Sequence, residues 1–106
     1  MELKFKNQKG INYTVKFKKP DGRTWKSSTD GVCFFPRGLL NEGHVEVNPH
    51  RTDQTIFNTV IHEVTHAFFE DKTETEVTKF ANTLSRLLFN NLQFKNEDLK
   101  RLLKEN

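Results

Sequence analysis

The apolar residues between Ile56 and Phe68 form the pattern that most restricts how this chain can fold. They recur at spacings of three and four residues, which places them on one stripe of an α-helix. The stripe consists of Ile56, Phe57, Val60, Ile61, Val64, Ala67 and Phe68. Thr52 or Asp53 can act as N-cap, so a helix is expected over residues 53 to 69. Many residues of this segment are β-branched and have poor helix propensity, so packing must stabilise the helix.

A second helix is expected over residues 74 to 90, because its apolar residues repeat with the same period. Its stripe consists of Val77, Phe80, Ala81, Leu84, Leu87 and Leu88. Thr73 and Glu76 have the spacing of a capping box at its start. A last short helix is expected over residues 97 to 104, with Asn96 as its cap.

The first half of the chain alternates between apolar and polar residues, which is typical of strands with one buried face. The alternation covers residues 11 to 18 and again 44 to 48, and a short apolar strand is expected at residues 32 to 35. A turn at Pro20-Asp21-Gly22 is expected to return the chain as a strand at residues 24 to 26. The predicted fold is α+β: a small, mostly antiparallel sheet from the N-terminal half, packed on two helices.

Length and composition predict one small domain spanning residues 1 to 106. Only 34% of the residues are hydrophobic, so the core is small and a bound metal ion would add useful stability. The single cysteine, Cys33, excludes an intramolecular disulfide and favours a reducing compartment. No apolar run at the N-terminus indicates a signal peptide, and no segment has the length of a membrane span. A cytoplasmic protein with no membrane partner is therefore expected.

The net charge of +3 is too small to favour nucleic acid as a partner. Lysines are concentrated in the N-terminal third, where Trp25 or Phe17 would be available to stack on bases. Lysines on an edge hairpin also prevent aggregation, and this is the preferred interpretation. Binding to nucleic acid is therefore not expected, and the oligomeric state is left open.

Residues His62-Glu63-Val64-Thr65-His66 form an HExxH motif within the first predicted helix. Residues four apart lie one turn above each other, so both imidazoles can bind one zinc ion. Glu63 can act as general base toward a water molecule that the metal activates, because zinc lowers the pKa of water and polarises carbonyl groups. A shuffled chain of this composition would contain the motif about once in a hundred times. The sequence therefore predicts a zinc-dependent hydrolase.

A catalytic zinc site needs a third protein ligand and an open position for water. The acidic residues that follow the motif are Glu70, Asp71, Glu74 and Glu76. Glu70 lies one turn beyond His66 on the same helix, where three successive turns diverge from a single point. Glu76 precedes the buried Val77, so it is preferred as the third ligand, with Glu74 as the alternative. The competing interpretation of Glu76 is that it is only the acid of the capping box.

Residues 59 to 69, Thr-Val-Ile-His-Glu-Val-Thr-His-Ala-Phe-Phe, resemble the active-site helix of SprT-like zincins and of small phage-encoded metallopeptidases. The preceding Val45-Glu46-Val47-Asn48-Pro49 and the acidic Glu74-Thr75-Glu76-Val77 are similar to the corresponding segments of those proteins. Residues 76 to 81 also resemble the second helix of ImmA-like phage-repressor peptidases, in which the glutamate at the position of Glu76 is a metal ligand.

The resemblance implies a minimal zincin-like metallopeptidase domain acting on a peptide or protein. It also implies that Val45 to Asn48 form a sheet edge along which a peptide substrate lies extended. Two features differ from these families. SprT-like enzymes take a histidine as third ligand, whereas no histidine follows His66 here. ImmA-like proteins have a longer gap before their acid, together with a helix-turn-helix domain.

The alternative function is a non-catalytic interaction protein, of phage or mobile-element type, that uses a zincin scaffold to bind a host factor. Glu63 argues against this alternative, because a purely structural zinc site needs no general base. A peptidase also needs a group that stabilises the oxyanion of the transition state. The candidates are Tyr13, His44, His50 and Arg51, and the sequence does not choose among them.

Overall fold

The computed structural model describes residues 2–22, 29–36 and 41–91, in which four strands precede two helices. The strands are β1 (Leu3–Lys6), β2 (Asn12–Phe17), β3 (Gly31–Phe34) and β4 (Glu42–Val47). The helices are α1 (Asp53–Phe68) and α2 (Glu74–Arg86), and a π-helical turn (Leu87–Asn91) follows α2. Both main helices are confirmed, with α2 shorter than predicted. The strand expected at residues 24 to 26 and the helix expected at 97 to 104 lie outside the described residues.

The four strands form one mixed sheet in the order β1-β2-β4-β3. β1 pairs with β2, and β3 with β4, in antiparallel fashion. The central pair, β2 and β4, is parallel, with Asn12 opposite Glu42 and Phe17 opposite Val47. The α+β class is therefore confirmed, but the prediction of a mostly antiparallel sheet missed the parallel centre. Alternation of apolar residues specifies which face of a strand is buried and not the direction of its neighbour.

The prediction that Val45 to Asn48 form a sheet edge is wrong. β4 lies inside the sheet, where Val45 is opposite Val15 of β2 on one side and Cys33 of β3 on the other. The chain passes through β3 before it crosses back and inserts β4 beside β2, so both sides of β4 are already hydrogen-bonded. Within the part of the chain that the structure describes, the outermost strands are β3 and β1, and β1 was not predicted at all.

The buried core lies between the sheet and α1. It consists of Tyr13, Val15, Val45, Val47, Ile56 and Ala67. Two threonines of α1 satisfy their hydroxyl groups within the helix: Thr59 donates to the carbonyl of Thr55 at 2.7 Å, and Thr65 donates to that of Ile61 at 2.6 Å. A helix rich in β-branched residues therefore forms here because its apolar stripe is covered by the sheet and its hydroxyls are paired. Neither described helix has the length and apolarity needed to cross a membrane.

The buried side chain of Asn7 connects the β1–β2 turn to the end of α1. Its amide group donates to the carbonyl of Ala67 at 3.2 Å and to the carboxylate of Glu70 at 2.8 Å. Its carbonyl oxygen accepts from the backbone N–H groups of Lys9 and Ile11. The C-terminal end of α1 is therefore fixed to the sheet, and the link that leads into α2 starts from a defined position.

Gly43 is required where β4 passes under the ring of Tyr13. A Cβ atom at this position would overlap that ring, which is 1% exposed and stacks on Phe5 with ring centroids 5.4 Å apart. We therefore expect Gly43→Ala to lower the free energy of unfolding by about 1–3 kcal/mol, as other overpacking substitutions do. Urea denaturation measures this change. Glu42→Ala at the exposed neighbouring position is the control, and an equally small effect of both substitutions would contradict the close packing described here.

Candidate metal centre

The HExxH motif lies on α1, with the side chains of its two histidines and its glutamate close together. His62, Glu63 and His66 each offer a donor atom, and these atoms all lie within 4.8 Å of one another. The two imidazole rings have centroids 4.9 Å apart. Both histidine side chains are largely buried, at 18% and 16% exposure. The helix therefore brings the two imidazoles to one face, as the spacing predicts.

The first residue of α2, Glu74, closes this group from the opposite helix. Its two carboxylate oxygens lie 2.8 Å from the Nε2 atoms of His62 and His66, one oxygen to each ring. An ionised carboxylate can only accept hydrogen bonds, so each ring donates its Nε2 proton to Glu74. Two imidazole nitrogens and one carboxylate are a ligand set that zinc takes in catalytic sites. The residues present therefore fit a zinc ion, which would replace the two protons.

Glu76, the ligand preferred from the sequence, is not brought to the histidines. Its carboxylate accepts from the backbone N–H of Thr73 at 3.0 Å, and the hydroxyl of Thr73 accepts from the N–H of Glu76 at 3.1 Å. These two bonds form a complete capping box at the start of α2. Positions 74 and 76 point about 200° apart around a helix axis, so only one of them can face the motif. The geometry favours the alternative, Glu74.

The protonation of His62 and Glu74 suits metal binding. Burial lowers the pKa of His62, with a further decrease from His66, against the opposing effect of Glu74. Burial alone would raise the pKa of Glu74, but its hydrogen bonds and charge interactions with His66 and His62 together lower it. Near neutral pH the imidazole of His62 is therefore uncharged and the carboxylate of Glu74 is ionised. These are the forms that bind metals.

Glu63 occupies a different environment from Glu74, on the side of α1 that faces β3. Burial, and secondarily the charge of Glu74, raise the pKa of Glu63 to about 7. A general base is most effective when its pKa lies near the working pH, so this carboxyl is suited to exchange protons. Cys33 lies nearby in β3, and burial together with the charges of Glu63 and Glu70 raises the pKa of its thiol to about 12. That thiol stays protonated and is unsuited to act as a nucleophile.

The raised pKa of Glu63 gives the metal-free protein a defined pH dependence. The folded state holds the proton up to about pH 7, whereas the unfolded state releases it near the ordinary value of 4.5. The contribution of Glu63 to stability is therefore complete below the lower value and is lost as the pH rises through the higher one. Against this background, Glu63→Gln is expected to stabilise the protein by roughly 2–3 kcal/mol near pH 8.5 and very little near pH 4.5.

Urea denaturation of both proteins with a chelator present measures this difference. An equal difference in unfolding free energy at the two pH values would show that Glu63 is not buried as described.

The motif opens onto a cleft of about 230 Å³ between α1, the start of α2 and the start of β3. His62, Glu63 and Glu74 line this cleft, together with Gly31 and Asn58. A Cβ atom at Gly31 would lie 3.3 Å from the Glu63 side chain, so the first residue of β3 is packed directly against the motif. Two of the three prospective metal ligands, His62 and Glu74, therefore line the same cleft as Glu63.

The four candidates for oxyanion stabilisation are spread over the molecule. Tyr13 is buried in the core, and its hydroxyl finds no hydrogen-bond partner within residues 2–22, 29–36 and 41–91. His44 lies 3.1 Å from the carboxylate of Glu46 and stacks on Phe34, while His50 is exposed. Arg51 pairs with Asp30, a residue of the cleft wall, at 2.9 Å.

Asn58 lines this cleft and was not among the site residues predicted from the sequence. The available signal was its position four residues before His62, which puts both side chains on one face of α1. No protein-family model, curated protein or solved structure matches this chain. The resemblance to SprT-like and ImmA-like peptidases therefore rests on the motifs quoted above.

Proposed function

We propose that this protein is a zinc-dependent hydrolase, and more narrowly a peptidase. His62, His66 and Glu74 hold the zinc ion, and Glu63 is the general base. The observation that carries the proposal is the contact of one Glu74 carboxylate with both imidazoles at 2.8 Å. It adds, from another helix, the third ligand that the motif lacks.

In this proposal the chemistry is divided between the metal and Glu63. Zinc held by such ligands supplies Lewis acidity, which polarises a carbonyl group and lowers the pKa of water. Glu63 borders the same cleft as His62 and Glu74. Its carboxylate accepts a proton from the attacking water and delivers that proton to the leaving nitrogen of the substrate. A pKa of about 7 in the metal-free protein suits a group that must both take up and release a proton.

The narrower proposal of a peptide substrate is supported by the position of β3. This strand is the outermost one on its side of the sheet within the described residues, and its first residue, Gly31, lines the cleft beside Glu63. An extended peptide can pair with the main chain of an edge strand. A peptide paired with β3 would pass the cleft, so β3 takes the role that the sequence assigned to Val45 to Asn48.

The proposal is tested with purified protein, zinc and a broad peptide library. We expect one zinc ion per chain, cleavage that stops when a chelator removes the metal, and recovery when zinc is restored. Failure to bind zinc, or cleavage that persists in the chelator, would refute it.

A further inference from the structure

Polar side chains continue the cleft away from the motif, along the seam between α1 and α2. A second cavity of about 300 Å³ adjoins the first, and the two share Asp30, Asn58 and Thr59. Asn82 of α2 lines this second cavity. Neither cavity has a lysine or an arginine among the described residues that line it. The part of a substrate that extends from the motif into the second cavity would therefore contact amide, hydroxyl and carboxylate groups.

Asn58 and Asn82 form a pair of amide groups across the seam. The amide nitrogen of Asn58 donates to the carbonyl oxygen of Asn82 at 3.0 Å. The carbonyl oxygen of Asn58 and the amide hydrogens of Asn82 form no further hydrogen bond with the residues that the structure describes. The pair thus offers the cavity one acceptor and one amide donor group. If nitrogen and oxygen are exchanged in both side chains, the pair still has one free acceptor and one free amide donor group.

We infer that Asn58 and Asn82 form a subsite that binds the primary-amide side chain of an asparagine or glutamine in the substrate. A primary amide carries the complementary acceptor and donors, so it can pair with both asparagines at once. An apolar side chain would leave both groups without partners, which a polar site penalises. An acidic side chain would face the carboxyl groups of Asp30, Glu63 and Glu74. A basic side chain would find Asp30 already paired with Arg51 and Glu74 already in contact with both histidines, and Glu63 is assigned as the base. The inference rests on the proposed function, which supplies the scissile bond.

The subsite lies close to the reacting groups. Asn58 precedes His62 by four residues on α1, which corresponds to about 6 Å along the helix axis. An extended peptide advances about 3.3 Å per residue. The amide side chain recognised here therefore belongs to a residue one or two positions from the bond that is cleaved.

The competing interpretation is that this pair only holds α1 and α2 together, as a clamp between the two helices. The variant Asn82→Asp distinguishes this role from substrate binding. An aspartate keeps an oxygen that accepts from Asn58, so the clamp is retained. It replaces the amide donors by a second acceptor, so the pairing with a substrate amide is lost. Asn90→Asp, at an exposed position of the π-helical turn, carries the same change of charge and is the control.

The probes are hexapeptides of alanine and glycine that carry glutamine, glutamate, leucine or lysine at one position in turn. With the zinc-loaded protein, kcat/KM for the best glutamine peptide is expected to exceed that of its leucine counterpart by at least about tenfold. Asn82→Asp is expected to abolish this preference, while Asn90→Asp retains it and all three proteins unfold at similar temperatures. Cleavage without a glutamine preference, or the same preference in Asn82→Asp, would overturn the inference and leave the proposed hydrolase intact.

A measurement that needs no cleavage completes the test. The side-chain amide signals of Asn58 and Asn82 are followed by NMR while the zinc-loaded Glu63→Gln protein is titrated with the glutamine and leucine peptides. A shift of both signals with the glutamine peptide alone supports the subsite even if no peptide is hydrolysed. Unchanged signals with both peptides overturn it.

Discussion

Replacing Glu74 by glutamine is expected to lower the zinc affinity of this protein by more than about 100-fold, whereas the same replacement at Glu76 leaves it unchanged. Loss of a partner outside the ligand shell already costs about 10–100-fold in affinity at metal sites, and Glu74 is proposed as a ligand itself. Glu76 has no contact with either histidine and serves the capping box, in which a glutamine also functions. The two variants carry an identical chemical change two residues apart.

Competition with a zinc-binding dye measures both affinities. Circular dichroism of the metal-free variants checks that α2 is intact. A loss of affinity in Glu76→Gln with normal binding in Glu74→Gln would reverse the assignment, and equal affinities in both would remove Glu74 from the site.

Glu63→Gln is expected to reduce kcat by about 10²–10⁴-fold while one zinc ion remains bound per chain. Glutamine is close to glutamate in size but cannot take up a proton, so the substitution removes the base and keeps the packing against Gly31. His62 and His66 still face Glu74, which explains why the metal is retained. The peptide that the wild-type protein cleaves best is the substrate for this comparison.

The same pair of measurements separates the proposed enzyme from a binding scaffold. A scaffold that blocks a host factor needs the metal for its shape and does not need Glu63. Cleavage undiminished in Glu63→Gln would show that this residue is not the base. A biological effect that survives Glu63→Ala, with zinc still bound, would favour the interaction protein.

The sequence predicted the two main helices and the close approach of the two motif histidines, because both depend on local spacing. The apolar stripe of α1 places His62 and His66 on one face without reference to the rest of the fold. The period of two likewise located β2 and β4, and a short apolar run located β3, each within a few residues. Helix and strand periodicities are carried by neighbouring residues and can therefore be recognised in one sequence.

The third ligand and the sheet order depend on how distant elements are arranged, and here the sequence was less informative. Glu74 and Glu76 are both acidic residues in the first turn of α2, and the rotation of that helix against α1 decides which one faces the histidines. β4 lies inside the sheet because the chain first forms β3 at the outside and then returns to place β4 between β2 and β3. The pairing of Asn58 with Asn82, 24 residues later, also requires the register of the two helices.

A crystal structure of the zinc-loaded protein, with anomalous data at the zinc absorption edge, would show directly which residues bind the metal. We expect one zinc ion bound by the Nε2 atoms of His62 and His66 and by a carboxylate oxygen of Glu74, with a remaining position open to water. A zinc ion that is bound by Glu76, or that lies away from the two histidines, would contradict this expectation.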